Sequence, residues 1–110
     1  IMKKAHLSDM VKGWFVGNFT PSAFINDRCE VALKTYQKGD KDAAHFHKLA
    51  YEITLIVEGE VIMMESTWRK GDIIVIEPGE VSTFSALTDA TLVVIKIPGA
   101  KDDKYPAELP

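Results

Sequence analysis

Alternation of apolar and polar positions is the dominant pattern in this chain. Residues 28–37 repeat with a period of two, as expected for a strand with one buried face. β-rich runs of four to seven residues follow, separated by short turn-forming or polar segments, at 44–47, 52–57, 61–65, 72–76, 82–86 and 91–97. Seven or more short strands within about 70 residues are typical of a sandwich or barrel. The pattern therefore predicts an all-β fold.

Glycine-containing turns separate these runs. Glu58-Gly59-Glu60 stands between two of them at hairpin spacing, and Lys70-Gly71-Asp72 precedes another. No segment longer than ten residues has a helical period, so Ala5–Lys12 is expected to form only a short turn of helix.

The chain divides into three segments around the predicted strands. Residues 1–27 form an N-terminal segment, in which the apolar stretch Gly13–Phe19 predicts an edge strand or a contact across a partner subunit. Residues 28–97 form the barrel. Residues 98–110 contain three prolines and a charged cluster at 101–104, and are expected to form a surface arm.

Composition and charge narrow the classes of function. The 110 residues are 46% apolar and 26% charged, as in an ordinary globular domain with a single core. Thirteen basic residues are scattered among sixteen acidic ones, for a net charge of −3, which argues against a nucleic-acid partner. The longest apolar run, Ile73–Ile76, is too short to cross a membrane. Without an apolar N-terminal stretch, and with one cysteine, a cytoplasmic protein is expected.

One group of residues has the spacing of a metal site. Gly39, His45, His47, Glu52 and Gly59 form the string G-x5-H-x-H-x4-E-x6-G. Histidines two apart in a strand point to the same side, and a turn at 48–50 would bring the glutamate beside them on the next strand. Imidazole nitrogens and a carboxylate oxygen suit a divalent ion such as Zn, Fe, Ni, Mn or Co.

This string resembles the first signature of the cupin superfamily, and residues 28–97 resemble a single cupin domain. The chain is also similar to small stand-alone cupins of the sugar-isomerase-like (RmlC-like) type. The resemblance implies a small β-barrel or jelly roll with a small-molecule site in its mouth, and a homodimer.

The second cupin signature is altered. Gly71 and Gly79 fit it, but Ser82 stands at its histidine position and Ala86 at its asparagine position. The third histidine ligand of the family is therefore missing. Glu80 lies two residues before Ser82 and could supply a replacement carboxylate.

Side-chain parity suggests which residues line the site. Thr54 and Ile56 share the face of Glu52, whereas the opposite face of that strand is expected to pack in the core, with Ile53, Leu55 and Val57. The predicted ligand pocket consists of Thr54, Met63, Ser82 and Phe84. Lys34 and Tyr36 share a face that lines either the cavity or the outside. Trp14 and Phe15 are interpreted as edge packing or dimer contacts, and Trp68 as an exposed rim residue.

Four interpretations of function remain open at this point, the last of which is a degenerate barrel that serves only oligomerisation. The first is a divalent metal held by His45, His47 and Glu52. The second is metal-free isomerisation or epimerisation of a sugar-like substrate, with His47 as general base and Tyr36 or Lys34 as acid. The third is a non-catalytic barrel that binds a small ligand. Replacing His47 by alanine would abolish turnover in an enzyme but would only weaken affinity in a binding protein.

Overall fold

Two five-stranded antiparallel sheets face each other in the computed structural model, which describes residues 1–108. Sheet 1 has the strand order β1-β2-β9-β4-β7, and sheet 2 has the order β10-β3-β8-β5-β6. The strands are β1 Trp14–Val16, β2 Glu30–Tyr36, β3 Lys41–Phe46, β4 Tyr51–Glu58, β5 Glu60–Met63, β6 Ser66–Arg69, β7 Ile73–Ile76, β8 Ser82–Ala86, β9 Ala90–Ile97 and β10 Tyr105–Pro106. The predicted all-β jelly roll is confirmed.

The apolar core fills only one side of the space between the sheets. Its members come from β4, β5, β7, β8 and β9: Ile56, Val61, Met63, Ile74, Ile76, Phe84, Ala86, Ala90, Leu92 and Val94. Among the residues described, β1, β2, β3, β6 and β10 contribute no member, although Trp14, Tyr36 and Trp68 pack against the cluster. The interior beside β1, β2 and β3 is left for a cavity.

Strand β4 shows which parity faces inward. Glu52, Thr54 and Ile56 are buried between the sheets. The alternate residues, Ile53, Leu55 and Val57, are half-buried on the outer face, so the expectation that they pack in the core was wrong. Alternation defines two faces but does not say which one is internal, and the more apolar face of this strand lies outside.

The turn at Gly59 is a corner between sheets, not a hairpin. It joins β4 of sheet 1 to β5 of sheet 2, and the segment around Gly71 likewise joins β6 of sheet 2 to β7 of sheet 1. Gly59 has φ +90°, and a Cβ there would lie 2.2 Å from the Asp89 carbonyl oxygen. Only glycine fits this corner without displacing the backbone.

Trp68 belongs to a strand that the sequence pattern did not predict. β6 pairs with β5 along its length, from Glu60 opposite Arg69 to Met63 opposite Ser66. The indole of Trp68 is half-buried against the core, and its Nε1–H donates to the Met63 carbonyl at 2.9 Å. Its interpretation as an exposed rim residue was wrong, because β6 is too short to show a clear alternation.

The two ends of the chain pack against the sheets. The N-terminal segment forms a short 3-10 turn at Leu7–Asp9 and the edge strand β1. In the tail, β10 pairs with β3 at the edge of sheet 2, and Asp103 is buried. The tail is therefore more closely integrated than a surface arm; its last residues, 109 and 110, lie outside the described range. No helix within residues 1–108 has the length and apolar character needed to span a membrane.

Candidate functional site

The structure brings His45, His47 and Glu52 together across the gap between the two sheets. His45 lies on β3 of sheet 2, and residues 47–50 carry the chain over to β4 of sheet 1. Glu52 therefore faces the histidines from the opposite sheet, not from a neighbouring strand of the same sheet. One ligand atom from each of the three residues lies within 4.8 Å of the other two.

Backbone carbonyl groups set the tautomers of both imidazoles. His45 Nδ1 lies 3.0 Å from the Ala43 carbonyl oxygen, and His47 Nδ1 is hydrogen-bonded to the Asp103 carbonyl oxygen. Because a carbonyl oxygen only accepts, each Nδ1 carries the proton. The lone pair of each neutral ring is then on Nε2, as in the outer-sphere arrangement that orients metal-binding histidines.

His47 Nε2 is the atom that most clearly lacks a partner. It is the sole buried side-chain nitrogen or oxygen in residues 1–108 without a hydrogen bond. The Glu52 Oε1 atom is 3.8 Å away, too far for a hydrogen bond, and the two groups form an ion pair only when the ring is protonated. Two imidazole nitrogens, one of them unsatisfied, and a carboxylate form the donor set that a borderline divalent ion prefers.

The local charges favour an ionised carboxylate between the rings. Burial alone raises the pKa of Glu52, but His47, Lys96 and His45 outweigh it, and the net pKa lies below the ordinary value. Glu52 in turn raises the pKa of His47. Burial lowers the pKa of His45, so this ring stays neutral and able to coordinate at lower pH.

Asp103 holds the crossing segment in place. Its carboxylate accepts hydrogen bonds from the backbone N–H groups of Lys48, Leu49 and Ala50, at 2.9 to 3.2 Å. Burial raises the pKa of Asp103, but the hydrogen bonds from these three N–H groups outweigh burial. The pKa of Asp103 therefore lies below its ordinary value. One tail residue thus anchors the turn with its side chain and orients His47 with its backbone.

A cavity of about 1250 Å³ opens in front of the three ligand residues. Nine residues singled out from the sequence line it: Lys34, Tyr36, His45, His47, Glu52, Thr54, Met63, Ser82 and Phe84. Of the predicted metal-binding, catalytic and ligand-pocket residues, Glu80 alone lies outside the cavity. It is exposed in the β7–β8 turn, where its carboxylate accepts the Glu77 N–H at 2.8 Å.

Ser82 occupies the position next to the histidines. It is the direct cross-strand partner of His45, is buried, and faces the cavity. The residue at the altered position of the second signature thus points into the site, although its hydroxyl is a poor ligand for a metal at neutral pH.

Lys34 and Tyr36 face inward, which resolves the two alternatives left by parity. The Tyr36 ring packs on Phe84 with centroids 4.3 Å apart, and its hydroxyl donates to Asp42 at 3.3 Å. Burial and the Asp42 charge raise the pKa of Tyr36, which therefore keeps its proton at neutral pH. Burial lowers the pKa of Lys34.

Three residues of the site were missed in the sequence. Trp14 lines the cavity, where edge packing or a dimer contact was expected, and Lys96 extends the inward face of β9 beyond Val94. The parity of β9 could have indicated Lys96, since Leu92 and Val94 precede it at spacings of two. Asp103 lies more than 50 positions from the backbone it binds, so no local signal reveals it.

Comparisons with known proteins agree with the architecture. No family model and no curated protein sequence matches the chain. A Klebsiella pneumoniae protein with a double-stranded β-helix domain matches with a TM-score of 0.70 and 20% identity, over 76% of this chain and 74% of that one. An RmlC-like cupin from Shewanella frigidimarina matches with a TM-score of 0.62 and 22% identity, over 71% and 72%. KdgF from Halomonas sp. matches with a TM-score of 0.62 and 18% identity, over 70% and 76%. The chain therefore has the double-stranded β-helix fold of the cupin superfamily, as its first motif predicts.

Proposed function

We propose that this protein binds a divalent metal ion through His45, His47 and Glu52, and that a small molecule occupies the cavity in front of the ion. The observation that carries the proposal is the unsatisfied, buried Nε2 of His47, which points towards the Glu52 carboxylate. Zn, Fe, Ni, Mn and Co are the candidate ions.

Each protein group has a definite part in this proposal. His45 and His47 present Nε2 because Ala43 and Asp103 hold their Nδ1 protons. Glu52 contributes a negative charge that offsets the charge of a cation. Three protein ligands leave coordination positions open, as in catalytic metal sites, and an ion there would polarise a bound oxygen as a Lewis acid.

Metal content is the direct test of the proposal. Protein purified without a histidine tag is analysed by elemental mass spectrometry, then stripped and reloaded with each candidate ion. We expect close to one ion per chain, with affinity reduced by more than about tenfold in His45→Ala and Glu52→Ala, since even outer-sphere changes cost about 10–100-fold. His6→Ala is the matched control, because His6 is exposed in the N-terminal segment and bonded only to Ser8.

Absence of metal after reloading would overturn the proposal. The metal-free alternative, with His47 as base and Tyr36 or Lys34 as acid, would then be tested by turnover of sugar-like substrates in wild type and His47→Ala. Retained ligand binding without turnover would instead favour a non-catalytic binding protein.

We also propose that the protein is a homodimer formed through the outer face of sheet 1. On β4, β7 and β9 the outward positions carry no charge: Tyr51, Ile53, Leu55, Val57, Ile73, Val75, Thr91, Val93, Ile95 and Ile97. Four of these are strongly exposed, at 45 to 63% of their surface: Tyr51, Ile73, Val75 and Ile97. A second copy presents the same uncharged face, which suits a two-fold symmetric contact.

A further inference from the structure

We propose that the cavity takes a small organic anion, whose anionic group is held between Lys34 and Lys96 at the Trp14 ring while its other polar end reaches the His45–His47–Glu52 group. This inference rests on the proposed function, because it names the class of molecule that the site would take.

The two lysines converge from different strands on one aromatic ring. Lys34 Nζ lies 5.2 Å from the centre of the Trp14 ring, and Lys96 Nζ lies 4.9 Å from it. All three side chains are half-buried and line the same cavity. Stacking on an indole face stabilises an ammonium group without neutralising it.

No carboxylate neutralises either lysine. Within residues 1–108, neither Nζ atom is within 4.0 Å of a carboxylate oxygen, and neither donates a hydrogen bond. Glu30 and Glu52 lie opposite Lys96 on the two neighbouring strands, but Lys96 extends to the indole instead of forming an ion pair. Asp42 is the nearest opposing charge to act on Lys34, and its carboxylate accepts the Tyr36 hydroxyl.

Lys34 is partly desolvated and lies among other ammonium groups. Burial lowers its pKa, the Asp42 charge raises it, and the charges of Lys12, Lys96 and Lys104 lower it. A half-buried ammonium group without an ion-pair partner is stabilised by an incoming anion.

Lys96 connects this subsite to the three ligand residues. It is the cross-strand partner of Glu52, and its charge acts on both Glu52 and His47. The two lysines and the three ligand residues therefore line one cavity. Met63, Phe84 and Leu92 form an apolar part of the cavity wall that suits the carbon skeleton of the molecule.

The test compares an anion with its neutral analogue. Malonate, malonamide and glycerol 3-phosphate are titrated by calorimetry into the zinc-loaded and the metal-free protein. We expect malonate to bind and malonamide not to bind measurably. Lys34→Gln and Lys96→Gln should each weaken malonate binding by about tenfold, as for loss of one charge-assisted hydrogen bond. Tighter binding of glycerol 3-phosphate with the same lysine dependence would support the anion subsite and assign it to phosphate instead of carboxylate.

Two further variants separate charge from folding. Lys41→Gln removes the same charge from an exposed position of β3 outside the cavity, and should bind malonate like the wild type. Lys34→Arg keeps the charge and should restore binding to within a few fold. Malonate affinity unchanged in both Lys34→Gln and Lys96→Gln, or malonamide binding as tightly as malonate, would overturn the inference. Zinc could fail to bind while malonate affinity still depends on the two lysines. That result would overturn the proposed metal site and support the anion subsite.

Discussion

Ser82 and His45 show how much a single residue decides at this site. They are direct cross-strand partners on the inner face of sheet 2, with Ser82 buried at the cavity wall. The side chain at position 82 therefore projects towards the three ligand residues. With a serine at position 82 the site has three protein ligands, whereas a histidine there would make four. A site with three ligands is more open and binds an ion more weakly.

Ser82→His should strengthen metal binding. Because outer-sphere changes alone alter metal affinity by about 10–100-fold, an additional imidazole ligand is expected to raise the affinity by about tenfold or more. Competition with a chelator measures the change. Ser85→His is the control, since Ser85 lies on the other face of the same strand and should leave the affinity unchanged. Equal affinities in the wild type and Ser82→His would show that position 82 does not reach the ion.

Two elements that are distant in the chain cooperate at the β3–β4 crossing. The segment 47–50 belongs to no strand, and the Asp103 carboxylate, from the tail next to β10, accepts hydrogen bonds from the N–H groups of residues 48–50. Pairing of β10 with β3 in turn holds the tail in position. The geometry of His47 thus depends on the C-terminal strand.

Asp103→Ala should weaken both the fold and the metal site. Loss of hydrogen bonds from three backbone N–H groups to a buried carboxylate is expected to lower the free energy of unfolding by about 2–4 kcal/mol. Metal affinity should fall by about 10–100-fold, because the carbonyl that orients His47 is released. Chemical denaturation and metal titration measure the two effects. Asp102→Asn, at the exposed neighbouring position, is the control, and an equal loss in both variants would contradict this role.

The Asp103 contribution should also depend on pH in the metal-free protein. Its pKa in the folded protein is below the ordinary value, so the ionised form stabilises the fold. This stability is complete above the pKa of the unfolded chain and is lost as the pH falls through the lower pKa of the folded state. The difference in unfolding free energy between wild type and Asp103→Asn should therefore shrink on acidification below about pH 4. A constant difference down to pH 2 would contradict it.

At the scale of the whole molecule, sheet 1 has an inner face with charged residues and an outer face without them. Glu30, Lys34, Lys96 and Glu52 point towards the cavity, whereas the outward positions of β4, β7 and β9 are apolar apart from one threonine. Ala5, His6, Leu7 and Met10 of the N-terminal segment lie near Leu33 and Val93 of the outer face. The remaining face is the surface assigned above to a second copy.

Val75→Lys should convert the proposed dimer to a monomer. Val75 is 56% exposed on β7, opposite Ile53 of β4, so a lysine there would place a charge on the proposed apolar contact in each copy. Light scattering after gel filtration is expected to give twice the chain mass for wild type and the single chain mass for the variant. Lys70→Glu, which changes a charge at an exposed turn, should remain dimeric. A monomeric wild type would contradict the proposal.

The sequence by itself determined the strand content, most strand positions and the spacing of His45, His47 and Glu52, because period-two alternation and turn residues are local properties. Thr54 could be named through parity with Glu52, Ser82 through its position in the second signature, and Phe84 through parity with Ser82. Tertiary structure alone decided that the more apolar face of β4 lies outside, that the turn at Gly59 is a corner between sheets, and that Trp14 and Asp103 join the site. The alternation along a strand is the same whichever of its faces is internal, so the pattern does not say which face is buried. The contact of Asp103 spans more than 50 positions and leaves no trace in a local pattern. Both features are therefore decided only when the two sheets pack together.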